Sequence, residues 1–395
     1  MSFEGPAAPG VFPSQWLRKA FEQRVICSPV YTPDESQIQP ASVDLRLGDV
    51  AHRLRCSFLP NGEPVEAKLD RFSMGELNLR DGAVLEQNRP YLIPLAEEVH
   101  LPEGVRGRTN PKSSTGRLDI FTRVITDGAY GFDDLPPGYT GKLYLEVVSR
   151  SFTVRVQTRL SLNQLRLSVG ESACTDTELL AEHERQPILF SAGAPARPPQ
   201  LRARDGLFLS LAVAEDDAPD GIVGYRAKKN SQLVDLAKIG EHDPEEFWEP
   251  VRAERGGGLV LEPEAFYLLM SREQIRIPPT LAAEMTAYDP TSGELRTHYA
   301  GFFDPGFGYR PDDPSRGSRA ALEVRAHDVP FKIDNRQYVC KLSFERVSET
   351  PDVLYGDLTS HYQFQEQTLS KHFRPVGAPG APGAAGPDGA AGPAG

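Results

Sequence analysis

The chain contains one stretch of itself twice. GAVLEQNRPYLIPLAEEVHLP begins at Gly82, and GLVLEPEAFYLLMSREQIRIP begins at Gly258. The two align without a gap, matching Glu86 with Glu262, Tyr91 with Tyr267 and Pro102 with Pro278, each pair 176 positions apart. The likeness continues into KLYLEVVSRSFTV at Lys142 and RAALEVRAHDVPF at Arg319, which matches Glu146 with Glu323. A period this long is too great for a solenoid, so the simplest reading is two copies of one core. That core reads as β. In ASVDLRLGD, Val43, Leu45 and Leu47 alternate with Asp44 and Arg46 and stop at a glycine turn, as a half-buried strand does. The 35 prolines and 35 glycines punctuate short apolar runs in the same way.

The repeat sets the expected domains. Residues 1–30 form an N-terminal helical segment, in which Pro13 and Ser14 start a helix with Trp16, Leu17, Ala20 and Phe21 on one face. The first core runs 31–191 and the second 201–350. Between them AGAPARPPQ, 192–200, is a Pro-rich linker that resists regular structure. A tail, 351–374, comes next. In the last segment, 375–395, glycine recurs every third residue from Gly377. This is the collagen period, but six triplets are few for a triple helix, so a flexible low-complexity tail is expected.

Composition removes several classes. Hydrophobic content of 39% can fill a sizeable core. A net charge of −12 opposes nonspecific nucleic-acid binding, yet one basic loop suffices for a nucleotide. No apolar run approaches a membrane span, and the N-terminus has no basic region followed by an apolar one, so neither a membrane helix nor a signal peptide is expected. Cys27, Cys56, Cys174 and Cys340 lie far apart without CxxC, which argues against zinc or a disulfide framework and fits a reducing cytoplasm.

The chemistry concentrates in NPKSSTGRLDIFTRVITDGAYGFDDLPPGYTGKLYLEV, from Asn110 to Val147. Lys112, Ser113, Ser114 and Arg117 share one polar loop that offers charge-assisted donors to phosphate. Glu146 follows within an apolar strand, where burial would raise its pKa and suit it to proton transfer. Alternation places Leu143, Leu145 and Val147 on one face and Tyr144, Glu146 and Val148 on the other, the expected pocket face. GRTNPKSS fails as a phosphate-binding P-loop because Pro111 precedes the lysine and the spacing is one short. The H-x-E and PCxxC pattern of zinc deaminases is absent.

The same segment, with IQPASVDLRLGD before it, resembles the dCTP deaminase branch of the dUTPase superfamily, in the long duplicated form found in bacteria. Where that branch has G-R-S-S-x-x-R, this chain has P-K-S-S-T-G-R, so Lys112 replaces an arginine while Ser113, Ser114 and Arg117 match. KLYLEV matches the strand of the catalytic glutamate, with Glu146 in its place. LYGDLTSHYQFQEQTLSKHF resembles the family's closing tail, where Tyr355, Tyr362 and Gln365 match and His361 stands at a usually basic position.

The resemblance implies two tandem dUTPase-like distorted jelly-roll or β-barrel cores and a homo-oligomer, typically a trimer with sites between subunits. It implies zinc-independent hydrolysis of dCTP to dUTP and ammonia for dUMP and dTTP synthesis, with Glu146 as general base and then acid. Ser113 or Ser114 would orient water or base. Lys112 and Arg117 would bind the triphosphate with its Mg²⁺, and Tyr144, Gln164, Tyr355, Tyr362 and Gln365 would contact substrate. dTTP remains open as an inhibitor. A dUTPase or bifunctional enzyme, and a non-catalytic nucleotide-binding regulator, remain alternatives.

In the second copy, ungapped alignment puts YDPTSG, 288–293, where the clamp stands in the first. The first copy is therefore expected to be catalytic, with the second buttressing it and delivering the tail. Asp133 and Asp134 either shape the turn before Pro136 or resemble the water-activating aspartate of dUTPases. Gln164 caps the site or satisfies backbone. Asp44 and Arg46 read as a structural pair, and GYRAKKN at Gly224 as a solvated face.

Overall fold

A computed structural model describes residues 3, 5–214, 220–287, 295–297, 301–326, 328–357, 362–364 and 368–377. Both copies are β-built, each from two main sheets facing across a core. In the first copy, strand Ser161–Val169 pairs with Val43–Arg46, Val105–Pro111 and Gly10–Val11. The opposing sheet runs Ser73–Asn78, Val50–Leu54, Tyr91–His100, Thr140–Ser149, Ile120–Ile125 in spatial order. The second copy repeats this. Tyr338–Arg346 pairs with Leu207–Ser210 and Leu281–Ala287, and Phe266–Ile275 pairs with Ile222–Ala227 and Ser318–Ala326.

The matched identities have structural reasons. Tyr91 and Tyr267 each turn a hydroxyl back to accept a backbone N–H, from Glu86 at 3.2 Å and from Glu262 at 3.0 Å, which fixes the turn into each long strand. Glu97 and its counterpart Glu273 are buried staples. Glu97 accepts from the backbone N–H and the Nε of Arg46, both at 2.7 Å, and Glu273 accepts from the backbone N–H and hydroxyl of Ser210. Arg46 therefore pairs with Glu97. Its expected partner Asp44 shares its strand face but pairs with Lys112 instead, while Glu97 takes both the backbone N–H and the guanidinium of Arg46.

The first helix, α1, spans Ser14–Glu22 and buries Leu17 and Ala20 as its periodicity predicts. A second, α2 (Val65–Phe72), a single turn, α3 (Ser113–Gly116), a third long helix, α4 (Asp176–Arg185), and a short one, α5 (Pro244–Phe247), complete the α-helices among the described residues. The expected linker at 192–200 is partly regular. Ala194–Pro195 pairs with Leu189–Ser191, which adds to the second copy's sheet, and Leu179 of α4 already packs in the second core. The GYRAKKN segment is the end of strand Ile222–Ala227 and the turn after it, with Arg226 bound to Glu249 on the neighbouring strand. Residues 378–395 lie outside the described residues.

The copies are not beads on a string. Phe247, Trp248 and Phe266 of the second copy enter the first copy's core beside Phe152. Val234–Asp235 adds to Val154–Val156 as a parallel strand. Arg108 bonds Glu284 at 2.9 Å, and these residues occupy equivalent positions 176 apart. A position meets its own counterpart only near the axis relating the copies.

Glu97 is fully buried and forms the one ion pair of the equally buried Arg46 guanidinium among the described residues. Glu97→Ala leaves that charge uncompensated. It should cost about 3–5 kcal/mol in urea denaturation; a loss under about 1 kcal/mol would show that the staple is dispensable.

Candidate active site

A cavity of about 430 Å³ opens between the copies. From the first copy it is lined by Asp44, Lys112, Ser113, Ser114, Arg117 and Gln164, and from the second by Phe302, Asp304 and Glu323. Tyr355, Tyr362 and Lys371 of the C-terminal segment close it.

Local structure positions the clamp. Strand Val105–Pro111 ends at a proline, Lys112 stays extended with φ −67° and ψ 146°, and its N–H still reaches the carbonyl of Leu162 at 3.0 Å. The chain then makes the single turn α3 and buries Leu118, which leaves Lys112, Ser113 and Arg117 on the cavity wall. Lys112 forms an ion pair with Asp44. Arg117 lies over the ring of Tyr362, 3.9 Å from its centroid, and donates to the carbonyl of Thr368 at 3.2 Å. Gln164 accepts a long bond from the hydroxyl of Ser42 at 3.5 Å. Ser42 also donates to Asp304 at 3.0 Å, and Asp304 accepts from Arg166 at 3.0 Å.

Of the matched pair Glu146 and Glu323, it is Glu323 that lines this cavity. It lies in strand Ser318–Ala326 and is 6% exposed. Burial pushes its pKa up to about 7, while the Arg117 guanidinium pulls the other way. A carboxyl poised there can both accept and return a proton near neutral pH.

Glu146 is elsewhere. Its strand face carries Tyr144 as the alternation predicts, but that face is closed by the chain's own segment 55–72. Phe58, Val65 and Leu69 pack with Leu54, Leu92 and Tyr144, and the Tyr144 hydroxyl donates to Glu66 of α2 at 3.3 Å. Glu146 is 2% exposed, and one of its oxygens has no hydrogen-bond partner. Burial raises its pKa, with Ser57 and Arg123 partly offsetting the rise. Neither Glu146 nor Tyr144 lines the cavity. The equivalent segment of the second copy, 228–247, reaches away to the first copy through Val234–Asp235 and Phe247, and the Glu323 face stays open to the clamp.

Ser113, Ser114, Lys112, Arg117, Gln164, Tyr355 and Tyr362 thus converge on one cavity, whereas Gln365 and the segment 288–294 lie outside the described residues. Asp133 shapes a turn away from it. Its carboxylate accepts from Thr109 and from the backbone of Val124, both at 2.8 Å, and burial raises its pKa to about 6. Asp134 is exposed on the short strand Asp134–Leu135. Reading the sequence missed that Glu323, rather than Glu146, lines the cavity, and missed Asp304. FFDPGFG at Phe302 and the position of the tail after the second copy were the available signals.

Family models for 2'-deoxycytidine 5'-triphosphate deaminase match nearly the whole chain, the N-terminal domain over residues 8–171 and the C-terminal domain over 175–373. The chain belongs to the 2'-deoxycytidine 5'-triphosphate deaminase family. A crystal structure of 2'-deoxycytidine 5'-triphosphate deaminase from Agrobacterium tumefaciens is 42% identical with a TM-score of 0.81, covering 87% of this chain and all of that one. A dCTP deaminase, dUMP-forming, from Methanobrevibacter smithii is 30% identical over 45% of this chain and 81% of its own length. One of the same name from Methanosphaera stadtmanae is 33% identical over 32% of this chain, which spans 61% of that relative.

The buried Glu146 gives a signed prediction. With its pKa raised in the fold, its contribution to stability is full below the ordinary glutamate value and is lost as pH rises through the raised one. Glu146→Gln removes that loss. Its melting temperature should therefore gain on the wild type as pH rises from about 4 to 8; a difference that does not change with pH would contradict this burial.

Proposed function

We propose that this deaminase-family chain hydrolyses dCTP to dUTP and ammonia in a single site that its two copies share. The observation carrying the reading is Glu323, raised to about 7, in the same cavity as Lys112, Ser113 and Arg117. Lys112 and Arg117 hold the triphosphate, and the base extends toward Glu323. Glu323 takes a proton from water as the oxygen attacks C4 of cytosine and passes that proton to N3. It then takes the second proton from the C4 hydroxyl and delivers it to the amine as the C–N bond breaks and the C4 carbonyl forms, so dCTP and water become dUTP and ammonia. Ser113 and Ser114 both line the cavity, and a hydroxyl there orients the water or the base.

Asp44 is engaged by Lys112, and Asp304 by Ser42 and Arg166. That donor set suits Mg²⁺ carried in on the phosphates, as part of the substrate, rather than caged by protein. The zinc-independent reading is supported by a carboxyl of suitable pKa at the cavity and by cysteines that stand apart at positions 27, 56, 174 and 340. We further propose a cytoplasmic homo-oligomer, with a trimer as the expected state and dTTP as a candidate inhibitor at the same cavity.

A second reading, release of dUMP and pyrophosphate, is favoured by the names of the Methanobrevibacter smithii and Methanosphaera stadtmanae relatives. Against it, Asp304 is already held by Ser42 and Arg166, and Asp44 is held through one of its oxygens by Lys112.

Purified protein supplied with dCTP and Mg²⁺ should release ammonia without stoichiometric pyrophosphate. Glu323→Gln should lower kcat by roughly a thousandfold or more and retain dCTP binding, with Glu146→Gln staying within about threefold of wild type. In the wild type, kcat/KM should rise with pH through about 7, as a base with the pKa of Glu323 loses its proton. Loss of turnover in Glu146→Gln with retention in Glu323→Gln would overturn the assignment.

A further inference from the structure

The cavity holds a cation that lies outside both the clamp and the matched tail residues. Lys371 is half-buried on its wall, in the strap formed by residues 368–374. The strap is pinned along its length. Gly240 donates to the carbonyl of Lys371 at 2.9 Å and His242 to that of His372 at 3.1 Å. The backbone N–H of Lys371 donates to the Tyr362 hydroxyl at 3.2 Å. The Ser370 hydroxyl donates to the carbonyl of Ser114 at 2.9 Å, which ties the strap to the clamp loop itself. Two residues on, Phe373 is buried against Phe247 and Trp248, with ring centroids 5.4 and 5.9 Å away. Lys371 is therefore held at the cavity by backbone bonds and an aromatic anchor.

Its electrostatic surroundings are unbalanced. Lys112 is paired with Asp44, and the Lys371 ammonium lines the same cavity within electrostatic range of both. No ion pair holds the Lys371 ammonium among the described residues. Burial first, and Lys112 second, disfavour its charge. Lys112, Arg117 and Lys371 line one cavity, and a polyanion entering it would balance their charge.

We propose that Lys371 is a phosphate-binding residue of this site, carried in by the strap, and that it favours nucleoside triphosphates over less phosphorylated nucleosides. The proposal rests on the reading of the cavity as a nucleotide site. It extends the polyphosphate pocket from the clamp of the first copy to the end of the second.

The test compares wild type, Lys371→Met and Lys371→Arg. Calorimetry with inorganic tripolyphosphate, dCTP and deoxycytidine is paired with steady-state kinetics. Lys371→Met should bind tripolyphosphate on the order of 10- to 100-fold more weakly. It should raise KM for dCTP by a similar factor with kcat within about threefold, and leave deoxycytidine binding unchanged. Lys371→Arg should recover most of the loss. Lys371→Gln serves the same comparison if the methionine variant does not fold. Unchanged tripolyphosphate affinity in the neutral variants, or an equal loss of deoxycytidine binding, would overturn the proposal. Lys371-dependent tripolyphosphate binding without ammonia release by wild type would instead refute the deaminase reading and leave this one standing.

Discussion

Glu323 is buried in the second copy, and the cation that offsets its charge, Arg117, comes from the first. Moving a glutamate from its ordinary 4.5 to about 7 represents roughly 3 kcal/mol of penalty on the charged form. That penalty is absent below about 4.5 and is felt in full once pH has risen past about 7, so the fold keeps a carboxyl it would hold more cheaply as an amide. The burial that raises Glu323 and the cavity that it lines arise from the same docking of the two copies.

That docking rests on an asymmetry between equivalent segments. In the first copy, 55–72 folds over its own strand and encloses Glu146 among Phe58, Val65 and Leu69. In the second, 228–247 crosses to the other copy, pairing Val234 with Val154 and sending Phe247 into its core. One glutamate of the duplicated pair becomes packing and the other becomes accessible. The tail then closes over the open one, with Arg117 stacked on Tyr362 and bonded to Thr368.

Much of this was legible in the sequence. The repeat implied two β cores because Glu86, Tyr91 and their counterparts serve the same turn in each. Alternation placed Leu143, Leu145 and Val147 in the core and Tyr144 and Glu146 on the opposite face. The gathering of Lys112, Ser113, Ser114 and Arg117 on one cavity wall was legible because they share one short polar loop. Which glutamate faces the clamp was not legible. Alignment pairs each copy's loop with its own strand, whereas packing pairs the loop of one with the strand of the other, and nothing local distinguishes 55–72 as a plug from 228–247 as a bridge. The placement of Asp44 was likewise decided by a tertiary partner, Lys112, rather than by its neighbour Arg46.

The central claim is that clamp and carboxyl act within one chain. The most direct test mixes two inactive variants, Arg117→Ala and Glu323→Gln, by co-expression or by unfolding and refolding together, and assays ammonia release from dCTP. A site assembled within each chain predicts no recovery above the separate variants, since every chain lacks one half. Recovery towards a quarter of wild-type activity would show that clamp and glutamate meet across chains, and would contradict the account.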